Sequence, residues 1–355
     1  MKNGISLAVA LLVLLVLAIA SIRLGTVSVS FRDIWASLLH EPNKSMFIVN
    51  EIRLPRMFTG ILAGFGLAAG GVILQSLVRN PLASPDVIGI TKGAGFTAAT
   101  VIFLFPKAPN YMLPAAAFVG AFAAFIILLL VSRRLTLAPA SLALVGVAVG
   151  ALFQAGTQYL IVNHPTDINM ALLWMAGSLW GRRWDHVLSL LPWMAVLLPI
   201  VWRNYAKLDI LQLGDETVTS LGVRIARQRF WLLLLAVSLA GISVSAVGAI
   251  GFVGLIAPHI SRRIVGSRHQ WLIPLAALIG ADLMLFGDCL GRILIIPREV
   301  LLGAKVRDLR KQHGLSEEQL GEKTGFKFSY IGSLERGEAN ISLKNRKRQI
   351  APTML

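Results

Sequence analysis

The sequence has very few of the residues that build disulfides and metal centres. Cys289 is the only cysteine among 355 residues, and the six histidines are scattered without the spacing of metal ligands. A single cysteine excludes an intramolecular disulfide and a cysteine-based metal cluster. The motif Gly-x-x-x-x-Gly-Lys-Ser/Thr, whose backbone cradles nucleotide phosphates, is also absent. We therefore predict no catalytic residues, no metal site and no cofactor in this chain.

Charge is scarce as well, and it is unevenly distributed. Charged residues make up 15% of the chain and hydrophobic residues 55%, whereas soluble domains contain about 45–50% apolar residues. The net charge is +16, and residues 301–355 hold 11 Lys/Arg against 6 Asp/Glu. The sequence therefore predicts two unlike parts, a strongly apolar domain at residues 1–300 and a basic tail at residues 301–355.

Long apolar runs follow one another through the first part. A membrane-crossing helix needs roughly 20 apolar residues, and several runs reach that length. Glycines four positions apart, such as Gly60 and Gly64, let helix backbones approach closely in a membrane. The sequence predicts an all-α fold, a polytopic membrane helix bundle of about nine transmembrane helices with a small helical C-terminal tail. The nine runs cover residues 5–20, 57–78, 93–105, 112–131, 140–162, 187–202, 230–250, 251–260 and 271–296.

The positions of lysine and arginine predict the orientation of this bundle. Cytoplasmic loops of membrane proteins carry an excess of these residues, and a cytoplasmic N-terminus places thirteen of the 23 in residues 1–300 on that side. The arginines left on the outer side indicate an acidic partner there. The main inner cluster lies in the loop 203–229. Within it, residues 215–222 have acids in the first turn and glycine at the end, which is typical of a short helix.

Several separated motifs carry a resemblance to a known family. They are RLPR at 53–56, QSLVRNPLASP at 75–85, LGDE at 213–216 with LGV at 221–223, GFVGLIAPH at 251–259 and DCLGR at 288–292. In this order and spacing they resemble the permeases of iron-siderophore, haem and cobalamin ABC importers, the FecCD family. The resemblance covers about residues 1–300.

The resemblance implies a set of partners. In such importers two permease subunits, identical or homologous, form the channel. ABC ATPase subunits bind on the cytoplasmic side, and an extracytoplasmic substrate-binding protein delivers the iron chelate. The chain is then expected to be a multi-pass subunit of the bacterial cytoplasmic membrane. It is not an enzyme itself, because a partner subunit hydrolyses the ATP.

The resemblance also assigns roles to residues on the outer side. Arg53, Arg56 and Arg292 match arginines that dock the binding protein, a task that suits a guanidinium because it binds a carboxylate at two points. For Arg292 an alternative is an i,i+4 pair with Asp288 in the same helix. Both roles are compatible, since the pair would orient the arginine.

Two more groups of residues follow from the resemblance. The ATPase-coupling segment is represented by Asp215, Glu216, Leu221 and Gly222. The gate and the lining of the translocation pathway are represented by Asn80, Leu82, Gln154, Thr157 and Gln158. Asn80 precedes Pro81, so an alternative role for it is to stop a helix. The alternative for the coupling segment is a structured loop without a partner.

The tail departs from the family pattern after residue 300. Where the family continues with a tenth apolar helix, this chain has a charged segment that resembles a partial phage-repressor-type helix-turn-helix over about residues 304–343. Ser316 is the expected N-cap of the first helix of the motif, and residues 327–336 are the expected recognition helix. We interpret the tail as the aberrant end of a fusion.

The tail leaves a second function open, that of a membrane-bound helix-turn-helix transcription regulator. Glu317 argues against it, because it stands where such domains usually have a glutamine that bonds a phosphate. Topology also argues against it, since nine crossings from a cytoplasmic start place the tail outside the cell. The permease is therefore the primary prediction, and nucleic acid is not expected as a partner.

Overall fold

The protein is built from helices. The computed structural model describes residues 2–25, 29–39, 41–109, 111–132, 138–164, 168–294, 307, 310, 314–326 and 331–332. Every regular element within these residues is helical, which confirms the predicted all-α fold. The chain divides into two units, one of residues 1–23 and 29–288, the other of residues 24–28 and 289–355. The expected domain boundary at residue 300 lies outside the described residues.

Fourteen α-helices and one π-helical turn lie in the described residues. The π-helical turn is Ile48–Arg53 and leads directly into α3. The α-helices are α1 Lys2–Arg23, α2 Phe31–Leu38, α3 Leu54–Val78, α4 Ile90–Leu104, α5 Met112–Ser132, α6 Pro139–Asn163, α7 Ile168–Ala176, α8 Trp184–Arg203, α9 Tyr205–Leu211, α10 Asp215–Ser220, α11 Ile225–Val247, α12 Val253–Val265, α13 His269–Leu294 and α14 Glu317–Thr324.

Seven of the described helices are long and apolar enough to cross a membrane. They are α1, α3 with its preceding π-helical turn, α5, α6, α8, α11 and α13. The other two of the nine predicted runs form α4 and α12, which have 15 and 13 residues and fall short of the length needed to cross alone. The structure is therefore a multi-pass membrane bundle with seven full-length spans in its described part, and α4 and α12 pack among them.

Helix α3 occupies the centre of the first unit. It packs against α8, α11 and α12, and nearly every one of its residues is buried. Its glycines explain the close packing. A Cβ atom on Gly64 would lie 2.6 Å from the carbonyl oxygen of Gly280 and 2.7 Å from the Cα atom of Ala281 in α13. Only glycine allows the backbones of α3 and α13 to approach this closely.

The outermost helices have the opposite character. Only 17% of the most apolar window of α1 is buried within the chain, and its exposed residues are large and aliphatic, among them Leu12 and Val16. Exposed apolar side chains on a spanning helix face lipid or another membrane protein, because water would disfavour them. The exposed apolar sides of α6 and α8 are of the same kind.

The segment between α8 and α11 folds onto one end of the first unit, which we call the α9–α10 end. Leu208, Leu211 and Val218 are its buried anchors. Asp215 and Glu216 begin α10, where carboxylates favour the helix dipole, and Gly222 follows the helix with a φ of 75°. The short helix predicted within residues 215–222 is thereby confirmed.

The described part of the second unit includes α14 of the tail. Ser316 is its N-cap, as predicted, because the side-chain oxygen accepts the backbone N–H of Gln319 and the Gln319 side chain accepts the N–H of Ser316. Gly325 ends the helix in the left-handed region, with a φ of 73°. Of the expected recognition helix, only residues 331 and 332 are described, and both are helical.

Candidate functional site

A charged cluster at the α9–α10 end is built around Asp215, the first residue of α10. Its Oδ1 accepts one hydrogen bond from Arg79 at 2.5 Å and another from Arg229 at 2.7 Å. Arg229 lies in α11 with a side chain that is 2% exposed, whereas the side chain of Asp215 is 42% exposed. Burial alone would raise the pKa of the Asp215 carboxyl, but the two arginines hold it below its usual value. Asp215 therefore stays ionised and fixes the start of α10.

Arg79 joins this cluster from the end of α3. It follows the last residue of the helix in the left-handed conformation, with a φ of 52°, which is uncommon for a residue other than glycine. Its Nη2 also donates to the carbonyl oxygen of Leu211 at 2.8 Å. The side chain of Arg79 thus reaches both the end of α9 and the start of α10.

The other three predicted coupling residues are more exposed than Asp215. Glu216, Leu221 and Gly222 are exposed, and Leu221 is 59% exposed, as is Leu213 just before α10. One of these leucines precedes the short helix α10 and the other follows it. Of the four predicted coupling residues, Asp215 is bonded to two arginines of the chain and the remaining three are exposed.

A second polar group lies beside this cluster, and the sequence analysis did not identify it. Nδ1 of His269 lies 2.6 Å from Oδ1 of Asp209, and Nε2 of His269 lies 2.6 Å from Oγ of Ser76. The backbone N–H of His269 also donates to Asp209 Oδ1 at 3.0 Å, so Asp209 caps the start of α13. Asp209 belongs to α9 and Ser76 to α3. The histidine therefore connects three helices.

The geometry of this group resembles a Ser-His-Asp catalytic triad, but its surroundings do not suit catalysis. Ser76 and His269 are buried, at 2% and 0% exposure, so a substrate does not reach the serine. The hydroxyl of Ser76 also lies 2.8 Å from the carbonyl oxygen of Val72 in its own helix. A nucleophile needs an open position beside it, so we interpret the group as structural.

The turn that follows Arg79 contains the two predicted gate residues. Oδ1 of Asn80 accepts the backbone N–H of Leu82 at 2.9 Å, so the Asn80 side chain holds the turn that follows α3. The same turn leaves the side chain of Leu82 exposed, at 65%. The structure therefore combines a fixed turn with a projecting apolar side chain.

The three polar residues predicted to line the pathway divide between two sides of α6. Gln154 and Gln158 are one turn apart and both are exposed. Thr157 is buried, and its hydroxyl donates to the carbonyl oxygen of Phe153 at 2.9 Å. The side of α6 that holds Thr157 packs against α4 and α5. Only the two glutamines can therefore contribute to an exposed lining.

The predicted docking arginines are held by contacts within the chain. Arg53 is buried, and its Nη1 donates to the carbonyl oxygens of Ile22 at 2.6 Å and Arg23 at 3.1 Å, at the end of α1. Arg56, near the start of α3, forms a salt bridge with Asp288, and its Nε lies 2.8 Å from Asp288 Oδ1. In the second unit, Nη1 of Arg292 donates to the carbonyl oxygen of Leu24 at 3.1 Å.

Within the described residues no group of three or more His, Cys, Asp or Glu side chains is placed to hold a metal ion. The features described there are arginine–carboxylate pairs, the Asp209–His269–Ser76 group, the glutamines of α6 and a turn with an exposed leucine.

Comparisons with known proteins agree with this description. A profile described as the FecCD transport family matches residues 12–307, and a helix-turn-helix profile matches residues 306–345. The chain is 48% identical over 291 residues to the Fe(3+)-citrate import system permease protein YfmE of Bacillus subtilis, covering 82% of this chain and 87% of the relative. It is 40% identical over 303 residues to the Fe(3+) dicitrate transport system permease protein FecD of Escherichia coli, covering 83% and 93%.

The fold has a close counterpart among solved structures. An inward-facing metal-chelate type ABC transporter superimposes with a TM-score of 0.73 at 31% sequence identity. The match covers 81% of this chain and 91% of that chain. The predicted recognition of a permease domain followed by a helix-turn-helix segment is therefore confirmed, and the two matches meet at residues 306–307.

Proposed function

The chain belongs to the FecCD transport family, and on that premise we propose that it is the permease subunit of an ATP-driven importer of iron chelates. The observation that carries the proposal is the 48% identity to a Fe(3+)-citrate permease across 82% of the chain. Ferric citrate is the first substrate to test. The experiment is uptake of radiolabelled ferric citrate by cells that lack their own ferric citrate permease, with the matching ATPase and binding protein supplied. No ATP-dependent uptake of any ferric chelate would refute the proposal.

The proposal includes partners and a location. The chain lies in the bacterial cytoplasmic membrane with its α9–α10 end toward the cytoplasm, where ABC ATPase subunits bind and hydrolyse the ATP. A second permease subunit, identical or homologous, completes the channel. The exposed side of α6, with Gln154 and Gln158, then faces the pathway, because two glutamines on a membrane helix are favourable only beside water or protein. Leu82 narrows the cytoplasmic mouth as part of a gate.

The outward side of the coupling segment supplies the contact with the ATPase. Leu213 and Leu221 give apolar contacts, while Glu216 and Gly222 complete the surface. Replacing Leu221 and Gly222 together by arginine should release the ATPase subunits during purification in detergent, because an apolar contact becomes two charges. Replacement of Asp185, an exposed acid of α8 at the other end of the bundle, is the control. Full ATPase stoichiometry in the arginine variant would show that the coupling surface lies elsewhere.

Docking of the binding protein is proposed for the opposite end. Arg56 and Arg292 carry this role, whereas Arg53 supports it from inside through its bonds to the end of α1. Arg292→Glu should abolish the stimulation of ATPase activity by the loaded binding protein while leaving unstimulated hydrolysis in place, since an acidic partner would then be repelled. Arg32→Glu, a charge reversal at an exposed residue of α2, is the matched control. Unchanged stimulation in Arg292→Glu would contradict the assignment.

The regulator function has only the tail in its favour. Its support is the profile match at residues 306–345 and the capped helix α14. The match to the permease family covers most of the chain, and we do not propose DNA binding.

A further inference from the structure

The α9–α10 segment is joined to α3 at two points. The first link runs from Asp209 of α9 through His269 to Ser76 of α3, with two distances of 2.6 Å. The second link runs from Asp215 of α10 to Arg79 at the end of α3, at 2.5 Å. Both acids belong to the α9–α10 segment. The link from Asp209 passes through His269 of α13 and ends at Ser76 in the last turn of α3, and the link from Asp215 ends at Arg79, the residue after α3.

The two links act on one short piece of α3. Ser76 lies in the last turn of α3, and Arg79 is the residue directly after the helix. The two links, six residues apart in the segment, add to the buried anchors Leu208, Leu211 and Val218 in holding the segment against the end of α3. Arg79 strengthens the second link by bonding the carbonyl oxygen of Leu211 between the two acids.

The turn that contains the predicted gate residues Asn80 and Leu82 begins at the end of α3, where both links act. Asn80 follows Arg79 directly, and its side chain holds the backbone N–H of Leu82. The turn is therefore short and internally bonded, so a movement of the end of α3 carries Leu82 with it. In the opposite direction along α3, the helix is held against α13 and α12 through Gly64 and Gly71.

We propose that the end of α3 is the element that transmits movement of the α9–α10 segment to the gate at Leu82, with Asp209, His269, Ser76, Asp215 and Arg79 as the positioning residues. This rests on the proposed function, because the movement of the segment is driven by the bound ATPase. The exposed side of α10 receives the movement and its buried side passes it to α3. Leu221 is thus expected to affect ATPase binding, and Asp209 and Asp215 to affect what ATP binding does to the gate.

The test measures the gate directly. Replacing Cys289 by serine removes the only cysteine, and Leu82→Cys then places one thiol at an exposed gate position. Its rate of reaction with a maleimide is measured in the full complex with the ATPase, without nucleotide and with ATP plus vanadate. With both links intact we expect the two rates to differ about fivefold or more, the range of an ordinary coupling between two sites.

Two pairs of substitutions cut the links from opposite sides. Asp209→Asn with Asp215→Asn removes the acids, and Ser76→Ala with Arg79→Gln removes their partners on α3. The Ser76→Ala and Arg79→Gln pair, whose residues lie outside the coupling segment, should leave ATPase subunits bound and ATP hydrolysis measurable. In both pairs the nucleotide should no longer change the rate at position 82. Ser261→Ala is the matched control, because Ser261 is another buried serine whose hydroxyl donates within its own helix.

The outcomes separate this proposal from the one on which it rests. If the intact chain binds no ATPase, the proposed function itself fails. If it binds the ATPase but its rate at position 82 ignores ATP, Leu82 is not a gate and the transmission proposal fails with it. If the intact chain responds and a linked pair of substitutions leaves the response unchanged, the transmission through α3 is wrong. Loss of the response in both pairs, with hydrolysis retained in the Ser76→Ala and Arg79→Gln pair and Ser261→Ala normal, supports it, since a general loss of folding would also release the ATPase.

Discussion

Loss of the Arg56 guanidinium should open the end of the bundle at which α3 begins. Asp288 is 6% exposed and Arg56 is 16% exposed, so Arg56→Gln leaves a buried carboxylate without this partner. Removing one partner of a buried ion pair costs about 3–5 kcal/mol, and the partial exposure of Arg56 places the cost near the lower limit. About 3 kcal/mol corresponds to a roughly hundredfold larger population of the open state.

Cys289 can report this opening. It is the only cysteine, it follows Asp288 in α13 and it is buried. Its rate of reaction with a maleimide in detergent tracks the open population when opening and closing are faster than labelling. Arg56→Gln should therefore raise the rate by roughly two orders of magnitude.

Two further variants test whether the faster labelling comes from the lost ion pair. Arg56→Gln combined with Asp288→Asn should label more slowly than Arg56→Gln alone, because a neutral amide costs less to bury than the carboxylate that has lost Arg56. Arg32→Gln removes an exposed arginine of α2 and should label like the wild type. The reasoning would be refuted if Arg56→Gln labelled at the wild-type rate, or if the double variant labelled faster than the single one.

Three other outcomes are expected. Gly64→Ala should lower the yield of folded permease on size-exclusion chromatography because its Cβ meets the backbone of α13, whereas Gly95→Ala, with nothing within 4 Å, should not. The two arginines lower the pKa of Asp215, so the ion pair between Asp215 and the arginines is present at neutral pH and is lost only as pH falls through that lowered value. Asp215→Asn should therefore change ATPase activity by the same factor at pH 5 and at pH 8. A difference between the two would contradict a charged Asp215. A fluorescent reporter fused after Leu355 should stay dark if α4 and α12 both cross the membrane, and bright cells would show that one of them does not.

Local signals in the sequence predicted local structure well. The acids at 215 and 216 and the glycine at 222 indicated a short helix, and α10 lies there. Ser316 was predicted as an N-cap, and its hydroxyl oxygen accepts the N–H of Gln319. Such signals act between residues less than one turn apart, so they do not depend on how the helices pack.

Contacts between distant residues were not predictable in this way. The structure shows Asp288 bonded to Arg56, 232 positions away, and no pattern in the sequence joins these two residues. The link from Asp209 through His269 to Ser76 likewise joins three separate stretches of chain. Which distant residues come into contact depends on which faces of two helices meet. A single sequence does not specify how each helix is rotated about its axis.

The residues of α6 show the same limit within one helix. Polarity alone grouped Thr157 with Gln154 and Gln158, yet Thr157 lies on the packed side with Phe153 and Gly150. A threonine satisfies its hydroxyl on its own helix backbone, so it tolerates burial in a membrane protein, whereas a glutamine amide needs partners beyond its helix. The type of polar side chain, weighed with the spacing of the glycines, would have separated the three.

The burial of α3 among the other helices has a consequence for how the protein is synthesised. In its most apolar window 89% of residues are buried, although the partners that cover them are synthesised later, with α11 more than 140 residues downstream. The nascent helix is apolar enough to enter the membrane, but its glycine-rich surface then faces lipid until α8, α11, α12 and α13 arrive. A chain that stops before residue 225 therefore leaves uncovered the part of this surface that α11, α12 and α13 contact, and we expect membrane proteases to remove it faster than a chain that reaches α13.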